Sequence, residues 1–180
     1  MLVRVGLARR VARFGGDEGA ATAVEFSLVA LPFIALMFAI LETGLCFFAS
    51  QTLETAVANA GRLVRTGQAQ QAGLTMDTFK EKICDQVMSL FACTDNLKLD
   101  VRTYSEFADL TLTRPVDADG NLKTDDFKFE PGHGSDIVLV RAYYEWPVFV
   151  PQFGNDLANL PNGNHLIAAA AAFRNEPFPW

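Results

Sequence analysis

Two glutamates, Glu25 and Glu42, border a run of sixteen residues without a charged side chain, Phe26–Leu41. The apolar character resumes after Glu42, so both carboxylates lie within or beside one long hydrophobic segment. Ionisable groups at membrane depth are costly, and their presence there suggests a function. The alternative is that both side chains lie at the membrane surfaces and reach water, which we consider mainly for Glu42.

The hydrophobic segment is long enough to cross a bilayer. A spanning helix needs about 20 mostly apolar residues, and Val24–Ala49 supplies 26. A secretory signal peptide has a shorter apolar core that ends in small residues, whereas this segment ends in Cys46-Phe47-Phe48. We therefore predict a retained membrane anchor, with a buried helix of a soluble domain as the alternative. Pro32 lies inside the span, where it should bend or loosen the helix.

The charge distribution predicts the orientation of this anchor. Residues 1–19 contain four arginines and two acids, a net charge of +2, and the rest of the chain contains 11 basic and 19 acidic residues, a net charge of −8. Because basic residues are retained on the cytoplasmic side, we expect a cytoplasmic N-terminus. The overall charge of −6 argues against nucleic-acid binding, and the 50% hydrophobic content argues against a disordered chain.

The three cysteines allow one disulfide outside the anchor. Cys46 belongs to the apolar segment, which leaves Cys84 and Cys93 as the natural pair in an oxidising compartment. On one continuous helix their Cα atoms would be about 13.5 Å apart, whereas a disulfide needs about 7 Å or less. We therefore predict a Cys84–Cys93 bond, with a helix that ends near Phe91 and a chain that turns back beside it. Two buried thiols are the alternative.

No group of residues in the sequence predicts catalysis or a cofactor. His133 and His165 are isolated, so a zinc site is poorly supported. The polar segment Asp117–Asp126 contains part of a calcium-loop pattern without its later ligands, and we interpret it as a turn. The sequence has neither a Gly-rich phosphate loop nor a nucleophile with a plausible base. We therefore expect a protein that is not an enzyme and that has no cofactor and no metal.

The helical pattern continues past the anchor. Apolar residues recur at steps of four, three and four, which gives one apolar face: Leu53, Val57, Ala60 and Val64. The pattern predicts a helix from about Ala23 to Thr66, about 65 Å long. Since the hydrocarbon core is about 30 Å thick, about half of this helix would project from the membrane. Its apolar stripe would pack against a globular head or neighbouring subunits, or only within its own domain.

A second helix is predicted after a polar connection. The segment Gly67–Gly73 is polar and bounded by glycines, so we expect a hinge between the first helix and the head. The following segment, Thr75–Phe91, predicts an amphipathic helix with Thr75 or Asp77 as its cap. Four residues form its apolar face: Phe79, Ile83, Val87 and Leu90.

The rest of the chain predicts a small antiparallel sheet. Leu97–Arg102 alternates apolar and polar residues, which is typical of a half-buried strand. Leu110–Thr113 is a possible short strand, and Ile137–Trp146 is the strongest one because it is rich in β-branched and aromatic residues. We expect Pro147 and Pro151 to end that strand. The alanines of Leu166–Arg174 favour a helix, but its position favours a closing strand, which we predict.

The cytoplasmic boundary of the anchor resembles a known family. The segment GAATAVEFSLVALPF, residues 19–33, combines a glycine, small residues, Glu-Phe and an apolar helix, as in a prepilin junction. It resembles the TadE-like family, the minor pilins or pseudopilins of the tight-adherence (Flp-type) pilus system. The resemblance extends to LVRTGQ at 63–68, and FRNEPF at 173–178 resembles the usual family ending. Residues from about 70 to 165 show nothing specific to the family.

The resemblance implies roles for five residues of the junction. Gly19 and Ala20 would mark the processing site of a prepilin peptidase. Glu25 and Phe26 would serve recognition and subunit pairing, and Pro32 would let the helix adapt. In this sequence five residues separate Gly19 from Glu25, whereas the family pattern has four. Two bonds are therefore candidates for cleavage, the one after Gly19 and the one after Ala20. A small residue there would let the backbone approach the peptidase closely.

Together these features predict an α+β, pilin-like fold. It would contain a long N-terminal transmembrane and stalk helix, a second amphipathic helix and a small antiparallel sheet. We divide the chain into a basic cytoplasmic leader (1–19), a TadE-like transmembrane and stalk helix (20–66) and a periplasmic α+β head (67–180).

The resemblance also implies a location and partners. The chain would be a single-pass protein of a bacterial inner membrane and a minor pilin-like component of a tight-adherence pilus machine. Its partners would be the lipid bilayer, a prepilin peptidase, other minor pilins, the major Flp-type pilin and the inner-membrane assembly platform. The alternative is a single-span periplasmic binding or scaffold protein that keeps residues 1–19 and never enters a pilus.

Overall fold

The computed structural model describes residues 18–87, 92–149 and 157–179. Its first element is one long helix, α1, which spans Glu18–Arg65 and contains Pro32. The predicted helix is therefore confirmed, and it ends one residue earlier than expected. Gly67, with a φ of 76°, follows it in the left-handed conformation that ends many helices, because glycine adopts it without a steric penalty.

The chain divides into two compact units between Leu41 and Glu42, within α1. The second unit contains the later part of α1 and all other elements. One face of α1 from Cys46 onward belongs to its core, with Ala49, Leu53 and Ala60 at 0% exposure. Cys46 and Ala49, which we had placed in the anchor, are therefore core residues of the head. The division into residues 1–19, 20–66 and 67–180 stays a prediction.

Three short helices follow α1 in the described chain. The predicted hinge contains helix α2 (Gln68–Gln71), whose Ala69 is buried in the core, so this connection packs against the head rather than standing free. Helix α3 spans Met76–Cys84, and the residue before it, Thr75, forms the predicted cap together with Thr78. Helix α4 spans Cys93–Asn96.

Helix α3 is shorter than predicted. It ends at Cys84 and is followed by a turn through Val87, whereas we expected a helix to Phe91. Phe79, Ile83 and Val87 are buried as predicted. Residues 88–91, including Leu90 and Phe91, lie outside the described residues. The apolar spacing predicted the buried face correctly, but it did not locate the end of the helix.

Three strands form one antiparallel sheet in the order β1-β2-β3. Strand β1 spans Lys98–Tyr104, β2 spans Ile137–Pro147 and β3 spans Asn164–Arg174. Val101 pairs with Val140 on one side of β2, and Ala171 pairs with Val140 on the other. The closing strand is therefore confirmed. Strand β2 ends at Pro147 as predicted, while Pro151 lies outside the described residues.

The two faces of the sheet pack against different parts of the chain. One face packs against α1 through side chains such as Val101, Val140 and Ile167, which are at most 2% exposed. The other face carries Asp100, Arg141 and Tyr143 and is covered partly by side chains of the connecting segments: Leu122, Phe127 and Leu160. Strand β1 is therefore not half-buried as its alternation predicted, because Asp100 is 0% exposed.

The long connection between β1 and β2 is mostly irregular. A 3-10 helix spans Phe107–Asp109, and Leu110–Thr113, predicted as a short strand, has no strand in the structure. The acidic segment forms a turn as predicted. Asp117 accepts hydrogen bonds from the backbone N–H groups of Asp119 and Asn121, at 3.0 and 2.8 Å. Such local bonds favour turns over regular elements.

Candidate assembly helix and processing junction

The predicted processing junction lies in the first turns of α1. Gly19 and Ala20 belong to the helix, which begins at Glu18. Glu25 follows between one and two turns later, and its side chain is exposed. Phe26 is also exposed, at 74%. The structure therefore presents both residues of the Glu-Phe pair on the surface of a helix, in a form that a second helix can contact.

The helix beyond this pair exposes large apolar side chains on all sides. From Val24 to Leu41 these are Val24, Phe26, Leu28, Val29, Leu31, Phe33, Ile34, Leu36, Met37, Phe38, Ile40 and Leu41. A helix that is apolar all round belongs in a protein core or in a membrane. By length and composition α1 can cross a membrane, and its most apolar window is not buried within the chain.

Pro32 lies seven residues after Glu25 on the same helix. Seven residues are close to two helical turns, so the two side chains lie near one side of α1 and about 10 Å apart along its axis. Proline provides no backbone N–H, which leaves the carbonyl one turn before it without its usual donor. The helix spans this position, and the adaptability that we assigned to Pro32 stays a prediction.

Glu42 has a different environment from the one expected. Its side chain is only 7% exposed, and its carboxylate accepts a hydrogen bond from the backbone N–H of Phe149. The alternative in which Glu42 simply reaches water is therefore wrong for the folded head. Carboxylates bind backbone N–H groups more strongly than neutral acceptors do. Glu42 thus fastens the segment after β2 to α1.

The predicted disulfide is present in the head. Cys84 and Cys93 are bonded, with their Cα atoms 5.6 Å apart. The bond joins the last residue of α3 to the first residue of α4, so the chain turns back as the geometry required. Cys46 is a buried free thiol. The pairing follows from the sequence because the third cysteine belongs to another element.

A buried charged cluster in the sheet was missed by sequence reasoning. Asp100 accepts hydrogen bonds from Arg102 Nε at 2.9 Å, from the Lys128 backbone N–H at 3.0 Å and from Arg141. Burial raises the pKa of Asp100, but these three donors outweigh it and hold that pKa below its ordinary value. The available signal was Arg141, a basic residue in the middle of the mostly apolar strand β2. We read the cluster as a structural support, since its carboxylate is fully buried.

The C-terminal tail returns to the end of α1. The backbone N–H of Glu176 donates to the carbonyl of Arg65 at 2.8 Å, and the two side chains form an ion pair at 3.4 Å. Asn175, only 2% exposed, donates from its side chain to the carbonyls of Pro131 and His133. The FRNEPF segment thus satisfies a backbone carbonyl that the last turn of a helix otherwise leaves unpaired.

The described part of the chain offers no metal centre. In residues 18–87, 92–149 and 157–179, no group of three or more His, Cys, Asp or Glu side chains has the arrangement of a metal site.

Comparison with known proteins gives a family match for most of α1. Residues 20–62, which are 43 of the 180 residues, match the family model TadE, described as TadE-like protein. Searches of curated proteins and of solved structures each gave no match. The matched range contains Ala20, Glu25, Phe26 and Pro32, whereas the LVRTGQ and FRNEPF segments lie outside it. Residues 20–62 therefore form a TadE-like segment, as the junction predicted, and a segment of this kind suggests a protein associated with a Tad pilus.

Proposed function

We propose that this protein is a minor pilin-like structural component of a tight-adherence (Flp-type) pilus assembly machine. The observation that carries the proposal is the TadE-like match over residues 20–62, which coincides with a helix whose apolar surface is exposed from Val24 to Leu41. Such a surface requires lipid or other apolar helices as neighbours. The role is structural, with no catalytic activity of its own.

The arginine-rich N-terminus stays in the cytoplasm, and α1 anchors the chain in the bacterial inner membrane as a single span. The head, with its Cys84–Cys93 bond, lies in the periplasm, an oxidising compartment in which disulfides persist. Oxidation there explains why a head of modest size carries a disulfide between two short helices. The four arginines that precede the apolar segment support this orientation.

Assembly proceeds by contacts between helices. A prepilin peptidase removes the leader after Gly19 or Ala20, which creates a new α-amine near the membrane surface. Glu25 of one subunit then pairs with the amine of a neighbour, so that neither charge enters the apolar bundle alone. Such a pair gives specificity more reliably than stability. Phe26 packs beside this pair, and Pro32 lets the helix adapt to its neighbours. The partners are other minor pilins, the major pilin and the assembly platform.

Substitution of Glu25 tests the assembly role. We expect Glu25→Ala to reduce pilus output while the amount of protein in the membrane stays unchanged, since alanine favours the helix and removes only the charge. Glu54→Ala is the matched control, because Glu54 is an exposed acid on the same helix outside the apolar run. Normal pilus output from the Glu25 variant would reject this role for Glu25.

Processing is tested separately by intact mass and N-terminal sequencing of the protein from its native membrane, with and without the host prepilin peptidase. A peptidase-dependent start at Ala20 or Ala21 would establish processing and identify the bond. A start at Met1 in both strains would favour the alternative, a membrane-fixed periplasmic binding or scaffold protein. Co-purification with pilus components distinguishes the same two functions independently of cleavage.

A further inference from the structure

The exposed surface of α1 stays apolar beyond the point at which the compact head begins. The head includes α1 from Glu42 onward, yet three large apolar side chains after Glu42 are exposed: Leu45 (47%), Phe47 (68%) and Phe48 (46%). From Gln51 to Arg65, a range that the structure describes in full, the exposed residues of α1 are polar, charged or alanine. The surface therefore changes from apolar to polar about two helical turns inside the head.

Phe149 adds to this exposed apolar surface from another part of the chain. It follows β2, and its side chain is 74% exposed, the most of any large apolar side chain that the structure describes in the head. Its backbone N–H donates to the carboxylate of Glu42, and Phe149 and Leu45 line the same groove. Phe149 thus lies beside the first turns of α1 within the head. We call Leu45, Phe47, Phe48 and Phe149 the boundary group.

The boundary group lies at one end of the head. Strand β2 starts next to the C-terminal tail, whose Glu176 bonds to Arg65 at the end of α1. Beyond the other end of β2, Phe149 bonds to Glu42 at the start of the head. Strand β2 and the head part of α1 therefore run in opposite directions along the head. The boundary group lies at the end where the chain enters from the apolar run.

The apolar run before the head is slightly short for a bilayer. Its exposed apolar residues extend from Val24 to Leu41, which is about 27 Å of helix. The hydrocarbon core is about 30 Å thick, with a headgroup layer on each side. The end of the hydrocarbon core and the headgroup layer therefore reach the residues after Leu41. In these first turns of the head, α1 has no exposed charged side chain before Glu54.

The environment of Glu42 fits this depth. It is the only charged residue between Phe26 and Leu53, and a carboxylate at the edge of the hydrocarbon core is costly unless it has hydrogen-bond partners. Glu42 is buried, and the N–H of Phe149 supplies a donor from the protein rather than from water. The head thus covers this charge while it exposes apolar side chains beside it.

The arrangement of the boundary group indicates lipid rather than a protein as its partner. At about 100° per residue, Leu45, Phe47 and Phe48 are spread over about 160° of the helix circumference. On all of these sides the apolar surface ends at the same level, just after Phe48. Lipid meets every exposed side of a helix up to one level, whereas a protein partner contacts one side over several turns. The group also continues a run that is apolar all round.

We propose that the boundary group contacts lipid, so that this end of the head is embedded in the periplasmic leaflet at the level of the glycerol backbone and headgroups. Phe149 is a second contact with the bilayer, separate from the spanning helix. Because it lies to one side of α1, its insertion fixes the rotation of the head about the helix axis. The inference rests on the proposed membrane function and adds lipid as a partner of the head itself.

Fluorescence quenching tests this contact with the full chain in vesicles of phosphatidylcholine and phosphatidylglycerol. Phe149→Cys carries a small fluorophore, lipids with a nitroxide near the glycerol backbone report contact with the bilayer, and iodide reports contact with water. We expect strong quenching by the lipid nitroxide and an iodide quenching constant several-fold below that of the control. Equal quenching at Phe149 and at the control position would overturn the proposal.

Leu112→Cys with the same fluorophore is the matched control. Leu112 is 69% exposed, so the two labels differ in position rather than in exposure within the head. The carbonyl of its neighbour Thr111 accepts from Arg141, which lies six residues, or about 20 Å, along β2 from Pro147. We therefore expect the label at Leu112 to lie in water. The apparent melting temperature of each variant checks that the head folds.

A label within the apolar run separates failure of this inference from failure of the proposed function. Leu36→Cys is suitable, because Leu36 is exposed in the middle of the run. Lipid contact at Leu36 with iodide access at Phe149 would overturn the inference and leave the anchor intact. Iodide access at both positions would reject the anchor and the inference together. Labelled wild type measures the background, which should be low because Cys46 is buried and the other cysteines are bonded.

Photo-cross-linking in native membranes tests whether the partner is lipid. The chain carries p-benzoylphenylalanine in place of Phe149 or, as the control, in place of Leu112. We expect illumination to give lipid adducts at position 149, detected by intact mass, and few at position 112. A second protein as the main adduct at position 149 would overturn the proposal.

Discussion

Asp100 is the central charge on the sheet face opposite α1. It is 0% exposed, and both Arg102 and Arg141 donate to it. Removing one member of such a cluster leaves the other charges buried without compensation. The single carboxylate thus holds two strands and the connecting segment near Lys128 in one arrangement.

We expect Asp100→Asn to destabilise the head by about 3–5 kcal/mol, because Arg141 would then be a buried charge without a counter-ion. The apparent melting temperature in detergent measures the loss. Asp126→Asn is the matched control, since the Lys123–Asp126 pair is exposed and such pairs contribute about 1 kcal/mol or less. Equal effects of the two substitutions would contradict the role that we assign to Asp100.

The same carboxylate predicts how stability depends on pH. The folded state holds the pKa of Asp100 below its ordinary value of about 3.9. Its stabilising contribution is therefore complete above pH 4 and is lost as the pH falls through the folded pKa, where the carboxylate binds a proton. We expect the melting temperatures of the wild type and Asp100→Asn to converge below pH 4. A constant difference down to pH 2 would contradict this linkage.

At the scale of elements, the contact between α1 and β3 depends on a glycine. A side-chain carbon added at Gly61 would lie 2.9 Å from the ring of Phe173 and 3.6 Å from the side chain of Ala171. Glycine has a low helix propensity. It is nevertheless needed here, because the strand approaches the helix too closely for a side chain. Gly61 therefore sets the spacing between the two elements.

We expect Gly61→Leu to lower the stability of the head by about 1–3 kcal/mol, the usual cost of overpacking. Gly44→Leu is the matched control on the same helix, because no atom lies within 4 Å of a carbon added there. Leucine favours helices over glycine, so the control should be neutral or stabilising in unfolding experiments. A loss of similar size in both variants would show that packing against Phe173 is not the cause.

The features that could be predicted from the sequence are those set by residues close together in the chain. The spacing of Leu53, Val57 and Val64 predicted the buried face of α1, because helical periodicity is local. The alanines of β3 were assigned correctly from the family resemblance and from their position in the chain, since alanine itself favours helix. Asp100 could not be recognised as buried, because the groups that bind it, the Lys128 backbone N–H and Arg141, lie 28 and 41 residues along the chain.

The functional residues also fall into two groups, those in a local motif and those brought together from distant parts of the chain. Glu25, Phe26 and Pro32 form a local motif, so the family match could be predicted from the residues themselves. The contact between Glu42 and Phe149 joins residues that are 107 positions apart, and no local pattern indicates it. The end of α3 was also missed, since the chain turns after Cys84 to bring that residue to Cys93.

At the scale of the whole molecule, the proposed function requires one orientation in the membrane. Four arginines precede the apolar segment, and the later chain has a net charge of −8. Basic residues near a span stay on the cytoplasmic side because their transfer across the membrane is unfavourable. The disulfide of the head is consistent with exposure to an oxidising compartment. Both features place the head outside the cytoplasm in the proposed arrangement.

Protease treatment of spheroplasts tests this orientation with the full chain carrying one tag at each end in a strain without the prepilin peptidase. We expect protease to remove the C-terminal tag and to leave the N-terminal tag intact, because only the head is accessible from outside. Disrupted membranes, in which both tags should be lost, are the control for protection. Replacement of Arg4, Arg9, Arg10 and Arg13 by glutamine should reduce the fraction of correctly oriented chains, since it removes the basic residues that set the orientation. A protected C-terminal tag in the wild type would reject the periplasmic head, and with it the proposed contacts with pilins outside the cytoplasm.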